Sequence, residues 1–338
     1  MNDVPRGVRY VPISKLTWRR KGQGKGFVYV DEKGKALKKA DMERVKKLVI
    51  PPAWAEVMIC PLENGHIQAV GMDDKGRKQY IYHPKWVEQK QQAKFDGMVR
   101  FGELLPELRA TVTGHMRQRE LTRERVLSTV VWLLEHTFIR VGNEVYEKEN
   151  QSYGLTTMRE KHVKVRGESV KFAFKGKSGV YHELSIRHPR VSETIKKCLE
   201  LPGYKIFQYL DADGERRRVD SQEVNEYLKL ITGEELSAKD FRTWGGTTLA
   251  GEKLYKVGSP ESEAAAKKTL VEMFREVSEH LGNTATVCRK YYVHPLIVES
   301  YEKDKLVPHF RRVLGRYEAR PGKLRASEEA AWTLLKKK

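Results

Sequence analysis

A tyrosine and three basic residues could together carry phosphoryl-transfer chemistry. A protein hydroxyl can attack a phosphodiester when fixed positive groups stabilise the non-bridging oxygens and an acid protonates the departing 5′ oxygen. Tyr292 suits the attack, because a phenolate leaves more readily than a serine alkoxide and keeps the covalent step reversible. Arg140, Lys177 and Arg242 are cations that fit the remaining needs. The four residues could therefore break and rejoin a phosphodiester without a metal ion.

Each of these residues also has an ordinary structural interpretation. Arg140 follows an apolar helical pattern and could pair with a carboxylate, and Arg242 could stack on a nearby tryptophan. Lys177 lies in a predicted turn, where lysines are usually solvated. Tyr291 is an adjacent rival for Tyr292 as nucleophile. Type and spacing alone do not decide among these readings.

Other chemistries have weaker support in the sequence. The run 176–178, Gly-Lys-Ser, matches the end of a phosphate-binding P-loop, but that motif requires glycine where Lys171 stands, and strands are predicted on both sides. No HExxH, CxxC or Gly-x-Ser-x-Gly motif occurs, and Asp73-Asp74 beside a glycine is typical of a turn. We therefore expect no metal and no cofactor.

The charge balance indicates a polyanionic partner. The 338 residues contain 64 Lys or Arg against 45 Asp or Glu, a net charge of +19. Residues 1–50 alone contain 14 Lys or Arg and 5 Asp or Glu, and residues 301–338 are also basic. Such a balance favours nucleic acid or an anionic surface. No apolar run is long enough to span a membrane. Residues 1–9 lack the hydrophobic segment of a secretory signal, so none is expected, and three widely spaced cysteines suit a reducing cytoplasm.

The pattern along the chain predicts an α+β protein of two domains. Residues 1–88 read as a small, strand-rich N-terminal domain with a hairpin at Asn64-Gly65, and a polar linker follows Pro84. Residues 89–338 read as a larger, mainly α-helical domain that ends in a basic tail. A three-stranded antiparallel β insert, with alternating apolar residues between 163 and 186, interrupts its helices.

Several local features refine this prediction. The stretch 18–26 combines basic residues with flexible glycines, and Ser259-Pro260 is expected to begin a helix that Gly282 ends. Asn283 is a candidate N-cap of the next helix. Lys78, Tyr80 and Tyr82 should share one strand face. Residues 140, 143 and 146, if helical, should lie on one side of a helix.

Seven motifs, in order, resemble the type IB DNA topoisomerases, most closely the short bacterial form related to the viral enzymes. Five of them lie in the predicted helical domain: IRVGNEVY, YGLTTMREKHVKV, FKGKSG, KDFRTWGGT and LGNTATVCRKYYVHP. Two more, IPPAW and GRKQYIYHP, lie in the N-terminal domain. The resemblance covers roughly residues 25–320 and implies the catalytic fold that these enzymes share with tyrosine recombinases.

The resemblance implies a role for each matched position. Tyr292 would be the nucleophile that forms a 3′-phosphotyrosyl bond, and Lys177 would be the general acid. Arg140 and Arg242 would bind the non-bridging oxygens, and Asn283 stands where many members have a histidine. DNA-binding positions would be Gln79, Tyr80, Tyr82, Asn143 and Tyr146. Asn143 replaces a lysine of the viral enzymes, so it keeps hydrogen bonding but loses charge.

The implied activity is relaxation of supercoiled duplex DNA by single-strand cleavage, strand rotation and religation, without ATP or metal. The resemblance further implies a monomer that closes around DNA as a C-shaped clamp, in the cytoplasm with the nucleoid and away from membranes. Two alternatives remain open. A tyrosine recombinase shares the chemistry, although Phe241 and Thr243 flank Arg242 where a His-x-x-Arg box is usual. A non-enzymatic DNA-binding protein would keep only the charge.

Overall fold

The chain divides into two compact units. A computed structural model describes residues 4–24, 26–319 and 322–336. The boundary between the two units along the chain lies between Phe95 and Asp96, inside the helix Pro84–His115. The polar run 88–92, expected as a linker, is therefore helical. Its Glu, Gln and Lys residues are good helix formers, and Pro84 suits a first helical turn.

The N-terminal unit is strand-rich, as the sequence predicts. Five antiparallel strands form one sheet in the order β2-β1-β3-β4-β5, and one short helix accompanies them. The elements are β1 (Trp18–Gln23), β2 (Gly26–Val30), α1 (Lys39–Lys47), β3 (Ala55–Ile59), β4 (Ile67–Met72) and β5 (Lys78–Tyr82). Residues 67–71 of β4 are buried, so this interior strand forms much of the core. β5 lies at the sheet edge.

Residues 18–23 of the basic, glycine-containing stretch form a strand, β1, which the sequence did not predict. Trp18 is buried at the start of the strand, and β1 pairs with both β2 and β3. The guanidinium of Arg20 donates to the carbonyl of Pro51 at 2.9 Å and lies 4.1 Å from the ring centroid of Phe27. Arg20 therefore stabilises the turn that follows residue 50. The basic character of the stretch alone does not predict this structural role.

The second unit is mainly helical, in agreement with the predicted fold class. After α2 (Pro84–His115) come α3 (Arg123–Thr137), α4 (Glu144–Asn150), β6 (Val163–Arg166), β7 (Ser169–Lys175), β8 (Tyr181–Arg187), α5 (Pro189–Glu200), β9 (Gln208–Leu210), β10 (Arg216–Arg218), α6 (Ser221–Thr232), α7 (Ala238–Val257), α8 (Glu263–Leu281), α9 (Ala285–Tyr291), α10 (Pro295–Glu302), α11 (Leu306–Leu314) and α12 (Ala326–Leu335). The buried helix α7 packs against α3, α8, α11 and α12. This buried helix carries Arg242 and contacts α3 and α8, the helices that precede Arg140 and Asn283 in the chain.

The β insert confirms the predicted three antiparallel strands. β7 lies between β6 and β8, and its alternate residues Val170, Phe172 and Phe174 are buried. The turn between β7 and β8 holds the short 3-10 segment Lys177–Gly179. Lys177 therefore lies at a hairpin tip, as its sequence context predicts.

The start of α8 differs from expectation, whereas its end at Gly282 agrees with the prediction. α8 begins at Glu263, later than Ser259-Pro260, because the Ser262 hydroxyl accepts the Ala265 N–H at 3.1 Å and caps it. The helix ends before Gly282, whose φ of +57° is the left-handed conformation that glycine adopts freely.

The basic C-terminal region contains a packed helix rather than a free tail over the residues described. Ala330, Ala331 and Leu334 of α12 are buried in the same core as α7 and α11. Within the ranges that the structure describes, no helix is long and apolar enough to cross a membrane. Cys60, Cys198 and Cys288 are buried free thiols.

Candidate active site

Two arginines from distant parts of the chain converge on the turn after α8. Arg140 Nη2 donates to the carbonyl of Gly282 at 3.0 Å and to Oδ1 of Asn283. Arg242, on α7, donates through Nη2 to the carbonyl of Leu281 at 2.7 Å. Its Nη1 donates to the carbonyl of Phe138, just before Arg140. The structure therefore brings Arg140, Arg242 and Asn283 together, although Arg140 and Asn283 are more than a hundred positions apart in the sequence.

The electrostatics of this cluster suit an anion. Burial, together with the charge of Arg242, lowers the pKa of Arg140 to about 10, although the Tyr292 phenol opposes the shift. Burial also lowers the pKa of Arg242. Both guanidinium groups still carry their charge near neutral pH. Burial disfavours the charged form of both arginines, and the charge of Arg242 further disfavours that of Arg140. A bound phosphate would offset these costs.

Two buried donors reinforce this interpretation. Nε of Arg242 and Nδ2 of Asn283 are buried without a hydrogen-bond partner in the described part of the chain. Buried polar groups without partners are rare and costly in folded proteins. Oxygen atoms of a bound phosphate are the partners that N–H donors at such a position would take.

Tyr292 lies beside Arg242, immediately after α9. The Arg242 Cζ atom is 5.1 Å from the centroid of the Tyr292 ring. A Cβ at Gly246 would lie 2.8 Å from the backbone oxygen of Tyr292, so only glycine on α7 admits this approach. The rival Tyr291 is more exposed, and its ring lies 5.3 Å from Nζ of Lys290. The geometry therefore favours Tyr292 over Tyr291 as the residue next to the arginines.

Lys177 approaches the cluster through its hairpin. The lysine itself is exposed at the tip, and the preceding Gly176 is buried against the ring of His182 on β8. The same imidazole packs against Gly282, the residue before Asn283. The hairpin that carries the predicted acid is thus in contact with the turn that carries Asn283.

The expected N-cap role of Asn283 is wrong. Thr284 caps α9 instead, and its hydroxyl accepts the N–H of Val287 at 3.3 Å. The Asn283 side chain turns the other way, toward Arg140. A threonine one position later takes over the cap, which leaves the asparagine in the site.

Residues 140, 143 and 146 do not lie on one helix, so the condition for a shared helix face is not met. α3 ends at Thr137, and Phe138 takes a left-handed conformation with φ of +53°. Arg140 lies in a non-helical segment, and α4 begins only at Glu144. Asn143 accepts the N–H of Val145 at 2.9 Å, as a residue at a helix start does. Tyr146 lies in α4, and its side chain is outside the described part of the structure.

The predicted DNA-binding strand shows two distinct faces. Tyr80 and Tyr82 are each 39% exposed, and their rings stack with centroids 5.8 Å apart. Lys78 lies exposed on the same face, as strand alternation predicts. Gln79 lies on the other face, where its Nε2 donates to Asp73 at 2.9 Å. The tyrosines therefore present an aromatic surface, while Gln79 is held within its own hairpin.

Sequence reasoning missed four residues that shape the site. Phe138 supplies the carbonyl that holds Arg242, and Thr247 bonds the backbone of Tyr292 at 3.1 Å. Gly246 admits the Tyr292 backbone, and His182 packs between two turns. The Gly-Gly-Thr run after Trp244 is the one signal that could have indicated close packing here.

No acidic or thiol cluster adds a metal centre to the described residues. Over the ranges 4–24, 26–319 and 322–336, no three His, Cys, Asp or Glu side chains come together as a metal site requires.

Two family models and several known proteins match this chain. Residues 83–307 match the family model described as eukaryotic DNA topoisomerase I, catalytic core, and residues 26–73 match that of the bacterial DNA topoisomerase IB N-terminal domain. The chain is 32% identical over 294 residues to DNA topoisomerase 1B of Acanthamoeba polyphaga mimivirus, covering 85% of this chain and 88% of the relative. It is 24% identical over 238 residues to the vaccinia virus (strain Copenhagen) DNA topoisomerase 1B, covering 70% and 72%.

The chain therefore belongs to the type IB DNA topoisomerase family. Both the catalytic core and the N-terminal domain match, so the resemblance stated from the motifs is confirmed. The predicted enzyme class, with relaxation of DNA as its activity, is confirmed at the level of the family.

Proposed function

We propose that this protein relaxes supercoiled duplex DNA as a monomer, through a covalent 3′-phosphotyrosyl intermediate at Tyr292. The observation that carries the proposal is the convergence of Arg140, Arg242 and Asn283 beside the Tyr292 ring. These groups form a positively charged, donor-rich site next to a nucleophile. We also propose that the protein acts in the cytoplasm, with the nucleoid.

The proposed cleavage step is an in-line displacement at phosphorus. The Tyr292 phenol loses its proton to solvent, its oxygen forms the new bond to phosphorus, and the bond from phosphorus to the 5′ oxygen breaks. The Lys177 ammonium donates a proton to that departing oxygen. Arg140 and Arg242 hold the non-bridging oxygens, where negative charge grows in the transition state. Religation is the reverse reaction.

The covalent link explains why no energy source is needed. The phosphotyrosyl bond replaces the phosphodiester it came from, so the free 5′ hydroxyl can attack it after the strand has rotated. Fixed guanidinium charges do the electrostatic work in this scheme.

We further propose that each unit contributes DNA contacts. Tyr80 and Tyr82 offer a stacked, exposed aromatic pair, suited to sugar, phosphate or base edges. Asn143 and Tyr146 would contact DNA from the start of α4. Gln79 would need to release Asp73 before its amide could reach a base.

The polarity of the covalent adduct tests this proposal. A duplex oligonucleotide would be labelled at either end of the scissile strand and digested with protease after trapping. With the wild type and with Tyr291→Phe, we expect the peptide to remain on the 5′-labelled fragment, because a 3′-phosphotyrosyl bond joins the protein to the strand on the 5′ side of the break. Tyr292→Phe should leave no peptide on either fragment. An adduct on the other fragment, or one that survives Tyr292→Phe, would overturn the proposal.

A further inference from the structure

The imidazole of His182 lies between two glycines that each precede a residue of the proposed site. A Cβ placed on Gly176 would lie 2.6 Å from Cδ2 and 2.7 Å from Nε2 of the ring. A Cβ placed on Gly282 would lie 3.0 Å from Nε2 and closer still to Cε1. Lys177 follows the first glycine and Asn283 follows the second. The ring therefore fills the space between the hairpin and the phosphate-binding turn.

The ring is held from a third direction as well. The Phe174 ring stacks on it with centroids 5.1 Å apart and an interplanar angle of 17°. Phe174 is buried in β7, so this support is part of the core of the β insert. The partly buried imidazole is thus in contact with both glycines and with Phe174.

The charge environment keeps this imidazole neutral. Burial lowers the pKa of His182, and the nearby charges of Arg140 and Arg242 lower it further. A neutral ring adds no third cation beside the two arginines. It therefore suits a spacer better than a proton donor at neutral pH.

We propose that His182 is a positioning residue that fixes the reach of Lys177 toward the departing 5′ oxygen. The inference rests on the proposed function, in which Lys177 is the acid. It assigns to His182 no contact with substrate. Its action is steric, because the imidazole sets the separation between the lysine hairpin and the turn at Gly282–Asn283.

A DNA substrate with sulfur in place of the departing 5′ oxygen separates an effect on the acid from an effect on the rest of the site. A 5′ thiolate leaves without a proton, so a DNA substrate with a bridging 5′ sulfur does not need the acid. We expect His182→Ala to slow single-turnover cleavage of the normal substrate by about 10²-fold, the scale for a misplaced group. We expect it to come within about 3-fold of wild type on the sulfur substrate. DNA affinity should stay unchanged.

A second variant keeps the proposal testable if His182→Ala folds poorly. Gly176→Ala adds only a methyl on the hairpin, aimed at the imidazole, and its backbone φ of −90° accepts alanine. We expect the same defect and the same rescue by sulfur. Val180→Ala, at an exposed position of the same hairpin, is the matched control and should cleave both substrates at wild-type rates.

Lys177→Ala, measured in parallel, distinguishes failure of the acid role of Lys177 from failure of the positioning role of His182. If sulfur does not rescue Lys177→Ala, the acid assignment fails, and the His182 proposal fails with it. If sulfur rescues Lys177→Ala but neither His182→Ala nor Gly176→Ala, only the His182 proposal is overturned. Wild-type rates for His182→Ala and Gly176→Ala on the normal substrate would also overturn it.

Discussion

The Thr247 hydroxyl donates a hydrogen bond of 3.1 Å to the backbone oxygen of Tyr292. The same hydroxyl accepts the N–H of His294 at 3.0 Å, so one buried side chain on α7 ties both ends of a three-residue loop. Arg242 lies on the same helix, five positions earlier. The proposed nucleophile and the arginine proposed to bind phosphate are thus both held by one helix.

Thr247→Val should keep the shape of this side chain and remove both hydrogen bonds. The unpaired carbonyl and N–H should cost about 1–3 kcal/mol of folding free energy. Cleavage should slow as well, because the Tyr292 loop is then less fixed. Urea unfolding and single-turnover cleavage measure the two effects. Thr247→Ser, which keeps the hydroxyl, should restore most of the rate, and an equal loss in both variants would contradict the argument.

Arg242→Lys should slow cleavage by about 10²–10³-fold, the usual loss for one donor that stabilises developing charge. Lysine keeps the charge but cannot hold the carbonyls of Phe138 and Leu281 while also facing phosphate. Single-turnover rates at saturating DNA measure the effect. Arg275→Lys is the control, because Arg275 is exposed on α8 and pairs with Glu272 and Glu279. A rate for Arg242→Lys close to that of the control would contradict a phosphate role.

Two substitutions at Asn283 separate its two atoms. Asn283→Ala removes both the oxygen that holds Arg140 and the buried Nδ2 donor. Asn283→Asp keeps the oxygen but replaces the donor with an anion that would face the phosphate. We expect Asp to cleave more slowly than Ala in single-turnover assays. The reverse order would indicate that Asn283 acts only by holding Arg140.

Glu328→Gln should destabilise the second unit by about 3 kcal/mol, the scale for breaking a buried ion pair. Glu328, on α12, is 4% exposed, accepts from Arg109 at 2.7 Å and accepts from Trp244 at 3.3 Å. Urea unfolding at neutral pH measures the loss. Glu272→Gln, in an exposed ion pair, should change stability by less than about 1 kcal/mol.

The same carboxylate predicts a pH dependence. Burial raises the pKa of Glu328, but the Arg109 guanidinium outweighs burial, so the folded pKa lies below the usual value. Its stabilisation is present above the unfolded pKa of about 4.3 and is lost as the pH falls through the folded value. Below about pH 4, the wild type should therefore lose stability faster than Glu328→Gln. Parallel curves for the two proteins would contradict this linkage.

The local elements could be read from the sequence where one face is buried. The strands of the β insert alternate in polarity, and the glycines at the tip place Lys177 there correctly. β1 was missed because only Trp18 of its six residues is buried, so no alternation marks it. The helix over residues 88–92 was missed because polar helix formers occur equally in linkers and on exposed helices.

The motifs identified the residues of the site, but they did not predict how those residues contact one another. The contact of Arg140 with Asn283 joins residues 143 positions apart, and no local pattern encodes such a distance. The cap at Thr284 and the left-handed Phe138 decide where Asn283 and Arg140 point. These are outcomes of packing, which spacing along one chain does not contain.

Relaxation of a supercoiled plasmid tests the central claim most directly. Wild type, Tyr291→Phe and Tyr292→Phe would be assayed in EDTA without ATP, with plasmid binding measured for each. We predict that wild type and Tyr291→Phe relax the plasmid, and that Tyr292→Phe binds it but leaves it supercoiled. Relaxation by Tyr292→Phe, or a requirement of the wild type for ATP or a divalent metal ion, would contradict the account.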